Sequence, residues 1–232
     1  MIISVFSFSD ALREQGFLEY LEGKPFTWVD CADIEGTHCY CDPEARKALQ
    51  ARMDKVAPVR WIDSGDYHYM SHLLALQQQQ PFHLVLLDHH PDNQEPAFSG
   101  VLSCGSWVKA MQEENPMLQD VVTIGPEGCP PSIPALWLEQ RRGERVYVSL
   151  DKDILGKDYA RTDWTQGENT LDQIEQMLEK LAREMQVVAI DICGELSPAQ
   201  GASPEDLRIN KETNIALYKF ITNHLNQDLC QK

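Results

Sequence analysis

Leu84-Val-Leu-Leu-Asp88-His89-His90-Pro91-Asp92 governs the reading of this chain. An apolar run ends abruptly in Asp88, His90 and Asp92, spaced i, i+2, i+4. In extended backbone, alternate side chains point the same way, so these three can converge. Two carboxylates and an imidazole held together at the mouth of a buried strand repel and desolvate one another unless a cation sits between them. Oxygen and nitrogen ligands of this kind suit a hard or borderline divalent metal.

The pattern recurs on both sides of that stretch. In Val146-Tyr-Val-Ser149-Leu-Asp151-Lys152-Asp153 a strand again runs into carboxylates at i, i+2, with Lys152 pointing away. Trp61-Ile-Asp-Ser-Gly65-Asp66-Tyr67-His68 is a short strand, a Gly turn and a histidine. Val187-Val-Ala-Ile-Asp191-Ile-Cys-Gly194-Glu195-Leu-Ser-Pro198 is a further strand ending in acidic residues. Taken singly, an Asp after a strand is a common cap or turn residue, and His68, His89 and His90 could be ordinary loop or core residues. Their recurrence at strand ends favours one shared site, because open α/β sheets bind ligands beyond the carboxyl ends of their strands.

The rest of the chain supplies such a sheet. Strand-like runs at Ile2–Phe8, Phe26–Val29, Val59–Ile62, Phe82–Leu87, Val121–Ile124, Arg145–Leu150 and Val187–Ile192 alternate with helix-like stretches. The helical stretches are Asp10–Leu21, Asp42–Val56, Tyr69–Gln79, Gly105–Gln112, Leu171–Glu184 and Lys211–Leu225. Short apolar strands separated by helices predict an α/β fold, a mainly parallel central sheet covered by helices on both faces in three layers. There is no internal repeat and no long linker, so a single domain over 1–232 is expected; Gly125–Pro134 reads as a surface loop.

Composition narrows the function classes. A net charge of -16 repels nucleic acid and anionic membranes, leaving a small molecule as the expected partner. No apolar run approaches the roughly 20 residues that span a bilayer, and the N-terminus lacks a basic region and cleavage signature. Seven cysteines, an odd number in a chain that is not small, fit reduced thiols in a cytoplasm better than a disulfide framework. Cys39-Tyr40-Cys41 has no second pair at zinc-site spacing and reads as structural. A homo-oligomer is compatible with the sequence, which carries no signal on that point.

The order of the motifs resembles the arginase–agmatinase (ureohydrolase) branch of the arginase/deacetylase superfamily. That family carries Gly-Asp-His, then Asp-x-His-x-Asp, then Ser-x-Asp-x-Asp, then Asp-Ile-x-Glu before a Pro. The matching stretches here are Gly65–His68, Asp88–Asp92, Ser149–Asp153 and Asp191–Pro198, in that order. Val121–Gly125 resembles the family's strand before its specificity loop, and the resemblance covers roughly residues 60–225.

The resemblance implies an arginase/deacetylase-like fold and two manganese ions, held by His68, Asp88, His90, Asp92, Asp151 and Asp153. It further implies that Asp92 orients an activated water and handles its proton, and that Glu195 pairs with the cationic part of a guanidinium. Several positions depart from the family pattern. Gly65-Asp66-Tyr67-His68 carries one extra residue, with His72 one turn later as a competitor. Gly194 stands where the family has its Glu, and Glu195 follows one position late. Leu102-Ser103-Cys104-Gly105 lacks the family's His before Gly. Trp164, in the segment after the third motif, either lines the pocket or covers its loop.

The implied reaction is hydrolysis of a carbon–nitrogen bond in a guanidino, formimino or amide compound. Three other readings compete with it. A deacetylase-type amidohydrolase of the same superfamily would use one zinc ion. A catalytically degenerate relative would bind metal without turnover. A DHH phosphoesterase would account for Asp88-His89-His90 but not for Ser149–Asp153 or Asp191–Pro198.

Overall fold

Seven strands form one parallel sheet in the order β2-β1-β4-β9-β8-β5-β7. The structure, a computed structural model, describes residues 1–54, 56–98 and 100–225. Cys230, expected to be one of the reduced thiols, lies outside them. In chain order the elements are β1 (Ile3–Ser7), α1 (Ala11–Glu14), α2 (Phe17–Leu21), β2 (Phe26–Asp30), β3 (Tyr40–Cys41), α3 (Pro43–Ala51), β4 (Val59–Trp61) and α4 (Met70–Ala75). There follow β5 (Phe82–Leu87), β6 (Leu102–Ser103), α5 (Trp107–Glu114), β7 (Leu118–Ile124), α6 (Ala135–Gln140), β8 (Arg145–Asp151), α7 (Leu171–Glu184), β9 (Gln186–Cys193) and α8 (Pro204–His224). β3 and β6 pair antiparallel outside the main sheet.

Central strands are apolar on both faces because both faces are covered. Along β5, Val85 and Leu87 enter one apolar cluster and Leu84 and Leu86 the other. The first cluster is closed by α7 and α8. Ile174, Met177, Leu178 and Leu181 recur at helical spacing along α7, and Leu217 and Ile221 come from α8. The second is closed by α4 and α5 through Met70, Leu73, Leu74, Trp107 and Met111. No helix of the described residues is long and apolar enough to cross a membrane.

Several boundaries differ from the sequence expectation. The stretch Asp10–Leu21 is two short helices, because Gly16 adopts a left-handed conformation (φ 80) between them. The helix expected over Asp42–Val56 ends at Ala51; Asp42 caps it by accepting from the Ala45 amide. The last helix begins at Pro204, earlier than Lys211, because Ser203 and Asp206 form a capping box there. The β3–β6 pairing and α6 were not anticipated.

All strands of the main sheet run the same way, so β5, β8 and β9 deliver their C-terminal residues to one edge. Gly125, just after β7, is needed there. Its φ is 122, and a Cβ at this position would collide with the Asp88 carbonyl oxygen. We predict that Gly125→Ala destabilises the protein by about 1–3 kcal/mol. An unchanged urea midpoint would remove this close approach from the account.

Candidate metal centre

The six candidate ligands meet at that edge. His68, Asp88, His90, Asp92, Asp151 and Asp153 all line one cavity of about 270 Å³. His68 is delivered by a one-turn 3₁₀ helix, Gly65–Tyr67, which absorbs the extra residue of its motif. Asp88 directly follows β5, and its amide donates to the Ile124 carbonyl. Asp151 ends β8, and its Oδ1 accepts from the Asp153 amide (2.9 Å), which fixes the turn presenting Asp153. Asp92 has a left-handed backbone (φ 45). Its Oδ2 accepts from Trp107 Nε1 at 2.6 Å.

Two groups form within the cavity and share Asp88. In the first, His68 Nδ1 lies 3.2 Å from Asp88 Oδ2, 3.1 Å from Asp92 Oδ2 and 3.4 Å from Asp151 Oδ2. In the second, His90 Nδ1 lies 2.7 Å from Asp153 Oδ2 and 3.6 Å from Asp88 Oδ1. An imidazole nitrogen carries at most one proton, so it cannot satisfy three carboxylates. Asp88 Oδ2 is buried and has no hydrogen-bond partner. Three carboxylates around one nitrogen, with an orphaned oxygen among them, fit a divalent cation far better than they fit one another.

Surrounding residues fix these orientations. His68 Nε2 bonds Ser149 Oγ (2.8 Å), which bonds Ser71 Oγ (3.0 Å). Ser149 stands in register with Asp191 on β9, which is paired with Arg60. Such backing holds an imidazole ring with its other nitrogen aimed forward. His90 Nε2 bonds Thr165 Oγ1 at 2.8 Å. His89 turns away from the cavity and gives only its amide, to Asp153 Oδ1 at 2.9 Å. His72 also stays outside, with Nε2 3.2 Å from Glu114 Oε2.

Glu195 is placed differently from the expectation. It does not line the cavity. Its Oε1 is buried against Lys152 Nζ at 2.5 Å and accepts from Asn214 Nδ2 at 2.8 Å. Glu195 Oε2 is buried without a hydrogen-bond partner, so the carboxylate is engaged through one oxygen only. Gly194 explains why no glutamate stands one position earlier. Its φ is 90, and a Cβ there would overlap Asp151 Oδ1 and lie 2.9 Å from the Lys152 amide.

The outer wall is made by Cys39, Tyr40, Gln94, Ser103, Cys104 and Trp164. Trp164 therefore lines the pocket. Gln94 and Tyr40 were not legible as site residues, because the pairing of β3 with β6 that brings Tyr40 opposite Ser103 is only two residues long.

No family model matches this sequence. An uncharacterized protein of Thermotoga maritima is 27% identical over 207 residues, covering 85% of this chain and 81% of that one. A hypothetical agmatinase from Burkholderia thailandensis superposes with a TM-score of 0.63 at 15% identity, over 97% of this chain and 86% of that one. Proclavaminate amidino hydrolase from Streptomyces clavuligerus gives 0.62 at 15% identity, over 94% and 91%. Arginase from Bacillus caldovelox gives 0.62 at 16%, over 94% and 97%. The chain thus has the arginase-like α/β fold.

Burial and mutual repulsion raise the proton affinity of two of these acids. Burial, then the charges of Asp153 and Asp88, push Asp151 from 3.8 to about 7. Burial and Asp88 push Asp153 up to about 6. Hydrogen bonds to Asp153 and Asp88 push His90 from 6.5 to about 10. Each group is raised in the folded state, so each favours folding most at pH values below its unfolded pKa. We predict that metal-free protein loses thermal stability as pH rises from about 4 through about 7, and that a saturating divalent metal suppresses the loss. A metal-free melting temperature that climbs across this window would contradict the prediction.

Proposed function

We propose that this chain is a metallohydrolase that cleaves a carbon–nitrogen bond in a small guanidino, formimino or amide compound. The proposal takes 1–232 as one arginase-like unit. The observation that carries it is the shared carboxylate: Asp88 offers Oδ2 to the His68 group and Oδ1 to the His90 group. That arrangement suits two neighbouring ions, one held by His68, Asp88, Asp92 and Asp151, the other by His90, Asp88 and Asp153. Manganese matches the oxygen-rich donor set, with zinc the alternative. Two such ions would polarise the substrate and lower the pKa of a water from about 15.7 toward neutrality.

The chain's own residues supply the rest. Asp92, fixed by Trp107 and with its carboxyl pushed up by burial, is poised to take the water's proton and pass it to the leaving nitrogen. Among the described residues, the lining of the cavity contains no lysine or arginine. Two divalent ions would offset the four lining carboxylates, so selectivity against a substrate carboxylate rests on the lack of a cationic side chain to hold it. Trp164 and Tyr40 present aromatic surface to a cation or a flat delocalised group. Glu195 lies outside the cavity lining, so Gln94, Ser103 and Tyr40 are polar side chains of the outer wall placed to read the substrate. The unpaired cysteines Cys31, Cys39, Cys41, Cys104, Cys129 and Cys193 fit a cytoplasmic location.

The test is turnover of a panel of guanidines, formimino compounds and amides by protein loaded with manganese. We expect two metal ions per chain by elemental analysis and hydrolysis of a cationic or neutral member. Asp151→Ala should abolish metal retention while circular dichroism shows a folded chain. One zinc ion with turnover would replace this reading by the single-zinc amidohydrolase. Two bound ions without turnover would replace it by a metal-binding protein that is no enzyme.

A further inference from the structure

A second group of metal-ligating side chains lies at the mouth of the cavity, on the side facing β3. Asp66 Oδ1 accepts from Cys39 Sγ at 3.0 Å and from Trp164 Nε1 at 3.2 Å. Asp66 Oδ2 lies 3.4 Å from His38 Nδ1 and accepts from Gln200 Nε2 at 3.3 Å. The His38, Cys39 and Asp66 ligand atoms all fall within 4.8 Å of one another. Asp66 is buried, and Gln200 Nε2 donates both to Asp66 Oδ2 (3.3 Å) and to Asp163 Oδ2 (2.6 Å), which places the two carboxyls side by side.

We infer that His38, Cys39 and Asp66 form a zinc site separate from the Asp88-centred cradle, with Asp163 beside its fourth position. Zinc bonds of about 2.0–2.1 Å to nitrogen, 2.0–2.2 Å to oxygen and 2.3 Å to sulfur put tetrahedral neighbours about 3.4–3.6 Å apart. His38 Nδ1 lies 3.4 Å from Asp66 Oδ2 and Cys39 Sγ 3.0 Å from Asp66 Oδ1, so a rotation of the Asp66 carboxylate that presents one oxygen to both would bring the set to this spacing. A mixed nitrogen, sulfur and oxygen set is borderline-soft and selects zinc over manganese, whereas the Asp88-centred cradle is dominated by hard oxygens. Cys39 has a left-handed backbone (φ 56), a conformation uncommon outside glycine. Two carboxyls joined through one Gln200 amide supply the negative charge that a divalent ion neutralises.

The placement gives the ion a consequence. Cys39 and Trp164 also line the main cavity, and Asp66 belongs to the 3₁₀ turn that delivers His68. Zinc at this point would fasten the loop before β3 to that turn and set the width of the entrance. The inference does not depend on the binuclear reading of the main cavity.

Cobalt(II) is the probe, because a thiolate ligand gives it a near-ultraviolet charge-transfer band that nitrogen and oxygen ligands do not. We expect the full chain titrated with Co²⁺ to show this band. Cys39→Ser should remove it. His38→Ala, at an exposed side chain, should weaken Co²⁺ binding at this site at least tenfold with an unchanged circular dichroism spectrum. Cys193→Ser and Asp153→Asn should leave the band intact. Absence of the band at saturating Co²⁺ overturns the proposal. So does a band that survives Cys39→Ser or disappears with Cys193→Ser, and so does a His38→Ala protein that binds as tightly as the parent. Loss of manganese in Asp153→Asn with the band retained would separate the two sites.

Discussion

Three carboxylates crowd one imidazole nitrogen, and the rest of the molecule is arranged to hold them there. Asp88, Asp92 and Asp151 each bring an oxygen within 3.4 Å of His68 Nδ1. Buried carboxylates that close repel strongly, so the fold must supply rigidity from elsewhere. It does so with strands anchored at the centre of a parallel sheet. β5 and β8 are neighbours, and each is sealed by apolar residues on both faces. A buried ion pair, Arg60 with Asp191, braces the floor behind His68, and a second, Lys152 with Glu195, lies next to Asp151 and Asp153.

That second pair reshapes the substrate question. In the resembled family a glutamate in this segment meets the substrate. Here the neighbouring glycine presses against Asp151, the glutamate follows one residue later, and its carboxylate goes to Lys152. Here that segment supports the cradle from beneath through Lys152. Gln94, Trp164 and Tyr40 of β3, all outside the motifs, form the outer wall and are the proposed readers of the substrate. A common fold with different loops is the usual way one architecture comes to serve several substrates.

The sequence made the cradle legible because its signal is local. Asp88, His90 and Asp92 stand within five consecutive residues just past the end of β5, and they reach one cavity through a turn in which Asp92 is left-handed rather than through extended backbone. The strands β5, β8 and β9 were legible for the same reason, as apolar runs with sharp ends. The outer wall was not. Cys39 and Tyr40 reach the cavity only because two residues of β3 pair with two of β6, about sixty positions away. The position of Glu195 was not legible, because the positive φ of Gly194 decides where the chain turns after β9. The split of the first helix follows equally from one glycine conformation, which composition does not announce.

The central claim is that Asp88 bridges two metal positions. Anomalous X-ray diffraction from crystals soaked in manganese tests it most directly. The account predicts two peaks about 3.5–4 Å apart, one beside His68 Nδ1 and the other beside His90 Nδ1, each within bonding distance of a different oxygen of Asp88. A single peak, or peaks that leave Asp88 uncoordinated, would contradict it.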